Sequence, residues 1–129
     1  MSAAPQQTRS QRHAEAALAR IRSVETNASA TERKEYKTRA DNFPVMVMQA
    51  GLAQAVGFMR AKAGGKDAYG RYLDDLATVV GLASGEALQA RAIKARLPEY
   101  RQLTREALAA AGWLKRFGQA YLCGSGDKE

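Results

Sequence analysis

The feature that most constrains this 129-residue chain is a series of apolar residues towards its C-terminal end. Tyr100, Leu103, Ala107, Ala110, Leu114, Phe117 and Tyr121 follow one another at steps of three and four. That spacing puts all of them on one side of an α-helix and scatters them over both faces of a strand. The stripe is long and heptad-like, the pattern of a helix packed along its length on other helices. The rest of the chain must therefore supply helical partners for it.

It does so in order. Ala14, Ala17, Leu18, Ile21 and Val24 define one helical face from Gln11 onward, ended by Asn27-Ala28-Ser29. Ser29 and Glu32 have capping-box spacing, which starts a second helix carrying Tyr36, Ala40 and Phe43. Proline lacks a backbone N–H and disfavours helical geometry in the residue before it, so Phe43-Pro44 is the next expected boundary. Pro44 fits best in the first turn of a new helix; a kinked continuous helix is the alternative. No charged residue occurs from Pro44 to Phe58, and Val45, Met48, Leu52, Val56 and Met59 form its main stripe, with Met46 and Val47 off it. A helix apolar on most sides belongs at the centre of a core, and Gly51 and Gly57 point to close approach by a neighbour. Gly64-Gly65 stops it. Asp67 can cap a helix with Tyr69, Tyr72, Leu73, Leu76, Val79 and Val80 on its apolar side, ending at Gly81. Ser84 can cap a shorter one through Leu88, Ala92 and Ile93, before Leu97-Pro98 breaks the chain. The expectation is an all-α fold, a compact bundle of five to six helices. Residues 11–122 form a single helical domain, between flexible tails at 1–10 and 123–129.

Composition removes several function classes. Hydrophobic residues make up 46%, too many for a disordered chain. No apolar run reaches the roughly 18–20 residues of a membrane span. The start of the chain is polar, unlike a secretory signal, so a cytoplasmic protein is expected. A single cysteine, Cys123, excludes an internal disulfide framework and a Cys-cluster zinc site.

No catalytic constellation is legible. His13 is the sole histidine, lies near the chain start, and is expected at the solvent surface. Asp74 and Asp75 point about 100° apart on a helix and do not converge on one ion. Gly64-Gly65-Lys66 lacks the spacing of a phosphate-binding loop and reads as a turn. Cys123 has no histidine near it in sequence. Neither a cofactor nor a metal is expected.

What remains is arranged positive charge: 20 Lys and Arg against 13 Asp and Glu, a net +7. On the last helix Arg101, Arg105, Lys115 and Arg116 fall within about 100° of one another, opposite the apolar seam, over a rise of roughly 22 Å. Ala109 and Gly112 keep the middle of that face low, while Glu99 and Glu106 offer local pairing. Arg91, Lys94 and Arg96 form a second basic set across the Leu97-Pro98 break. Arg60, Lys62, Lys66 and Arg71 surround the glycine turn, and Arg33, Lys34, Lys37 and Arg39 alternate with acids as on an ordinary surface. Most aromatics lie on expected core faces, which argues against base stacking as the main mode; Trp113 sits on the seam's flank, a peripheral core or partner-contact position. Nucleic-acid binding by such a chain is backbone-directed and salt-dependent.

Two stretches taken together carry a family resemblance: FPVMVMQAGLAQAVGF, from Phe43 to Phe58, and YRQLTREALAAAGWLKRF, from Tyr100 to Phe117. In this order and at this spacing the chain resembles the small subunit of the type III-B CRISPR–Cas effector, the Cmr complex, over nearly its whole length. Ala50 departs from the asparagine common before Gly-Leu in that family, so a local polar contact is not carried over. The resemblance implies a non-catalytic, RNA-binding structural subunit in antiviral defence. Copies would stack into a filament beside a backbone subunit, which holds the guide RNA and cuts the target. Guide and target RNA would pair in the groove between them. Lys115, Arg116 and Arg105 match the motif and are the leading candidates for that groove; Arg101, Arg91, Lys94 and Arg96 rest on local charge alone. Gly51, Leu52 and Trp113 are motif positions with structural roles. The partners implied are guide and target RNA, the other effector subunits and further copies of the chain, and a monomeric free protein is compatible with assembly on RNA. Two other readings fit the residues: a DNA-binding regulator using 84–96 as a short recognition element, and a protein–protein adaptor whose charge serves solubility.

Overall fold

The computed structural model describes residues 6–62 and 67–122. Among them the chain is all-α, with six helices and no strand: α1 (Arg9–Asn27), α2 (Ala30–Ala50), α3 (Leu52–Lys62), α4 (Ala68–Val79), α5 (Gly85–Lys94) and α6 (Leu97–Tyr121). The Gly64-Gly65-Lys66 turn, Cys123 and the C-terminal tail lie outside the described residues.

Local chemistry sets most of the starts. Thr8 caps α1, accepting from the Gln11 N–H at 3.0 Å while the Gln11 side chain accepts from the Thr8 N–H at 2.8 Å. The helix therefore begins at Arg9, two residues before the expected Gln11. Ser29 and Glu32 form the expected reciprocal box on α2, at 3.1 and 2.8 Å. Asp67 accepts from the Gly70 N–H, and Ser84 from the Ala87 N–H, each at 3.2 Å.

The expected boundary at Pro44 is not there. Helix α2 runs through Pro44, and the break falls at Gly51, whose φ of 89° suits a residue without a Cβ. An interior proline forfeits one helical hydrogen bond at a cost of about 3 kcal/mol. Continuity offsets it, because Tyr36, Ala40, Phe43 and Val47 are all buried on one α2 face, with Phe43 packed on Tyr72 at 5.4 Å between ring centroids. A new helix at Pro44 would throw Val47 out of that register. The same register overturns the expected stripe: Val45 and Met48 are 52% and 74% exposed. Helix α3 buries Leu52, Ala55, Val56 and Met59, yet it is not the central element. That place belongs to α4, which touches each of the other five helices and buries Tyr72, Leu73, Asp75, Leu76, Ala77 and Val79.

Two further expectations are corrected. A Cβ on Gly57 would meet nothing, so no helix approaches there; the tight approach is at Gly85, where a Cβ would lie 2.9 Å from that of Leu73. Ile93 faces solvent rather than the core.

Helix α6 is held on two sides. Arg9 reaches Glu106 and Arg22 stacks over Tyr121, so α1 runs parallel to it. Gln119 reaches Asp41, and the Tyr100 hydroxyl lies beside Gly51 at the C-terminal end of α2, where it accepts from the Ala53 N–H of α3 at 2.9 Å, so α2 runs antiparallel. The Tyr100 contact joins the two sequence stretches that carry the family resemblance. It satisfies an N–H in the first turn of α3 that has no partner within its own helix.

One buried carboxylate ties three helices together. Asp75 accepts from the Tyr36 hydroxyl at 2.7 Å and pairs with Arg20 at 2.9 Å. Burial raises the Asp75 carboxyl above its ordinary value, with the Tyr36 hydroxyl and the Arg20 guanidinium pulling it back. A raised folded-state value means that the native state holds this proton longer than the unfolded chain does. Asp75's contribution to stability therefore falls as pH rises from below the ordinary carboxylate range through that raised value. This slope is expected to vanish in Asp75→Asn, read by urea unfolding across the acid range. Asp75→Ala is expected to cost about 1–3 kcal/mol, because the Tyr36 hydroxyl loses its acceptor while half-exposed Arg20 rehydrates. Tyr100→Phe is expected to cost about 1 kcal/mol in the same assay.

Candidate nucleic-acid interface

The inner side of α6 buries Leu103, Ala107, Ala110, Ala111, Leu114 and Gly118, with Tyr100, Leu108, Trp113, Phe117 and Tyr121 packed half-buried around them. Because α1 and α2 occupy its two flanks, a single side of α6 is left open. Arg101, Arg105 and Arg116 are exposed on it, with Lys115 half-buried at its edge. Ala109 and Gly112 lie between these cations, and a Cβ on Gly112 would meet nothing within 4 Å.

The acids that could have neutralised this face are engaged elsewhere. The Glu106 carboxylate takes Arg9 at 3.0 Å, His13 Nε2 at 3.1 Å and the Gln102 amide at 2.9 Å. Glu99 turns back on its own helix start and accepts from the Arg96 N–H at 3.3 Å. Arg105 donates to the neutral Gln102 amide oxygen at 2.8 Å, and the Arg116 guanidinium lies 5.6 Å from the centroid of the Trp113 ring. The four ion pairs between fixed charges among the described residues are Arg9–Glu106, Arg20–Asp75, Arg22–Glu25 and Lys37–Asp41, and none involves a cation of this face.

The second basic set is placed differently. Arg91 and Lys94 are exposed in the last turn of α5, where positive charge complements the helix C-terminus. Arg91 lines a groove of about 670 Å3 whose floor is Val80, Leu82 and Leu103 and whose wall includes Glu99 and Glu106. On α6 those glutamates, with Gln102, stand on the flank beside the Arg101–Arg116 face, so Arg91 is not part of that face. Arg96 is exposed at the N-cap of α6.

His13 is not the solvated residue expected: it is 5% exposed, on the same α1 face as Ala17, Ile21 and Val24. The signal is present in the sequence, since His13 lies four residues before Ala17 and continues the stripe. Its role here is to hold Glu106 on the α1 side. Asp75 escapes a reading by residue type in the same way, being a polar residue one position from Leu76 on the buried side of α4. Among the described residues no group of three or more His, Cys, Asp and Glu gathers in metal-binding geometry, and no helix is long and apolar enough to cross a membrane.

The profile of the CRISPR-associated protein family Cas_Cmr5 matches residues 9–121, from the first residue of α1 to the last of α6. The chain belongs to the Cmr5 family. It is 43% identical over 115 residues to the "CRISPR system Cmr subunit Cmr5" of Thermus thermophilus, covering 89% of this chain and 96% of that one. The crystal structure of a CRISPR-associated Cmr5 family protein from Thermus thermophilus superposes with a TM-score of 0.82 at 41% identity, covering 90% of this chain and 98% of the other. The Cmr5 fold thus accounts for the whole helical body rather than one motif, and both stretches quoted from the sequence lie within the match.

The geometry makes the single tryptophan a reporter of the α6 face. A polyanion that engages Arg116 is expected to change Trp113 emission at low salt, with the change reversed by added salt. In Arg116→Ala the response should be lost, as read by fluorescence titration with a short oligouridylate.

Proposed function

We propose that the protein is a non-catalytic subunit of a cytoplasmic type III-B CRISPR effector ribonucleoprotein, in which the open face of α6 lies against RNA backbone. Cmr5 family membership supports the assembly, since the Thermus relative is named as a Cmr subunit. The observation that carries the RNA contact is the cationic face itself, which forms no ion pair among the described residues: Arg101, Arg105, Lys115 and Arg116 over roughly 22 Å of helix, with Glu106 and Glu99 both held elsewhere. That length matches a few nucleotides of an extended strand. Holding RNA by phosphates needs neither a nucleophile nor a general base, and the two buried ionisable side chains, His13 and Asp75, serve packing contacts, His13 Nε2 with Glu106 and Asp75 with Arg20 and Tyr36.

In this reading copies of the chain stack into a short filament beside the backbone subunit. Their α6 faces line the groove where guide and target RNA pair. Head-to-tail stacking is a heterologous contact, which extends rather than closes. The free protein is a monomer, and the RNA-organised assembly supplies the concentration that drives stacking. Arg91, Lys94 and Arg96 face neighbouring subunits or RNA outside the α6 contact.

The test is combined charge reversal, Arg105→Glu, Lys115→Glu and Arg116→Glu. Binding to a short oligouridylate should fall steeply, and the slope of log K against log salt should drop by about 2 for three lost phosphate contacts on a single strand. Circular dichroism and melting temperature should stay near wild type, because the replaced side chains lie outside the core. Wild-type RNA binding by the folded triple variant would refute the assignment.

A further inference from the structure

A second site lies on the other side of α2. Where α2, α3 and α4 meet, Arg39, Asn42, Met46, Phe58, Met59 and Tyr69 enclose a pocket of about 220 Å3. It is smaller than the roughly 300–1,000 Å3 of drug-sized ligand sites and has room for one planar ring system. Phe58 is 44% exposed at its mouth and meets Tyr69 edge to face at 6.4 Å. It is the one large apolar residue of α3 left this open, since Leu52, Val56 and Met59 are buried. The Lys62 ammonium stands 5.7 Å from the Phe58 ring, and the Arg39 guanidinium is 4.5 Å from the Tyr69 ring.

The lining combines an aromatic face, a guanidinium plane, a primary amide and no carboxylate. The neighbouring recess that shares Arg39 and Tyr69 does carry acids, Glu35 and Asp67, but Asp67 is engaged as the N-cap of α4. We propose that this pocket takes an unpaired nucleobase of single-stranded RNA. The base stacks on Phe58, its polar edge meets the Asn42 amide and Arg39, and Lys62 is placed for the adjoining phosphate. Stacking on an aromatic ring and hydrogen bonding to an amide is how single-stranded bases are held, and it tolerates any base because each has a π-face. The site deepens the RNA-binding reading and rests on it, but it uses different chemistry. The α6 face reads phosphates, whereas this pocket reads the presence of a base. It is also spatially separate, since Asp41 on α2 reaches α6 through Gln119 while Arg39, Asn42 and Met46 turn towards α3 and α4.

The experiment compares oligouridylate with an abasic ribose-phosphate oligomer of the same length, using the full chain. Phe58→Ala should weaken oligouridylate binding on the order of tenfold without changing the salt slope, and leave abasic binding unaltered. Phe58→Tyr should keep the affinity while Phe58→Leu, which retains apolar bulk without a π-face, should lose it, and melting curves confirm that the variants are folded. Wild-type affinity in Phe58→Ala, alongside loss in the α6 charge-reversal variant, overturns the pocket and leaves the α6 reading standing. An equal loss on the abasic oligomer overturns it as a backbone contact. Unchanged RNA affinity with loss of co-assembly with other effector subunits makes the pocket a socket for a protein side chain and overturns it too. Absence of any RNA binding by the wild type overturns both readings.

Discussion

Helix α6 is clasped between α1, which runs parallel to it, and α2, which runs antiparallel, and this double contact decides which of its residues meet solvent. A helix has only about 360° to share among its neighbours. Two flanking helices and the α4 core beneath leave one side open. The cations at Arg101, Arg105 and Arg116 occupy that side because each interior place is taken by a small or apolar residue, Ala107, Ala110, Ala111 and Gly118 among them. Small residues let α1 and α2 come close, and their closeness removes any alternative face for charge. The clasp also settles the electrostatics. Arg9 and His13 arrive from α1 and draw Glu106 away from the basic face, so the cations have no carboxylate partner among the described residues.

A different device holds the opposite end of the core. Asp75 is a carboxylate beneath α1 and α2, and it is tolerable there because both of its oxygens are used, one by Arg20 and one by Tyr36. A buried charge of this kind costs more to desolvate than its partners return unless the geometry is good. Its benefit is registration. Arg20 and Tyr36 reach Asp75 together only when α1, α2 and α4 are aligned, which fixes the α1 that in turn presents Arg9 and His13 to Glu106. The structural carboxylates thus act in sequence, one positioning α1 and the next being removed by it from the candidate RNA face.

The parts of this architecture that are legible from residues alone are those decided within a few positions of chain. The Ser29–Glu32 box, the Asp67 and Ser84 caps and the turn at Gly81 need only neighbours three or four residues away. Pro44 misleads for the converse reason: its local cost is real, but the register of Phe43 and Val47 against α4 outweighs it. Val45 and Met48 are misplaced with it, since moving a helix start by a few residues rotates the apolar face. His13 and Asp75 look like surface residues by type. The α1 stripe does place His13 on the buried face, but the partners that satisfy these two side chains lie far along the chain, Glu106 for the histidine and Arg20 and Tyr36 for the aspartate, and no local pattern names them.

By itself, the sequence determined that this chain is helical, where most of its helices begin, that one long C-terminal helix carries an apolar seam opposite a row of cations, and which family it resembles. Those properties follow from periodicity, capping and motif order, all of which are short-range. Only the tertiary structure decided that the row of cations forms no ion pair among the described residues, that Arg91 belongs to a separate acidic-walled groove, and that Phe58, Arg39 and Asn42 share a pocket. Electrostatic pairing and pocket formation depend on distances of a few ångströms between residues far apart in the chain, and packing sets those distances where composition cannot.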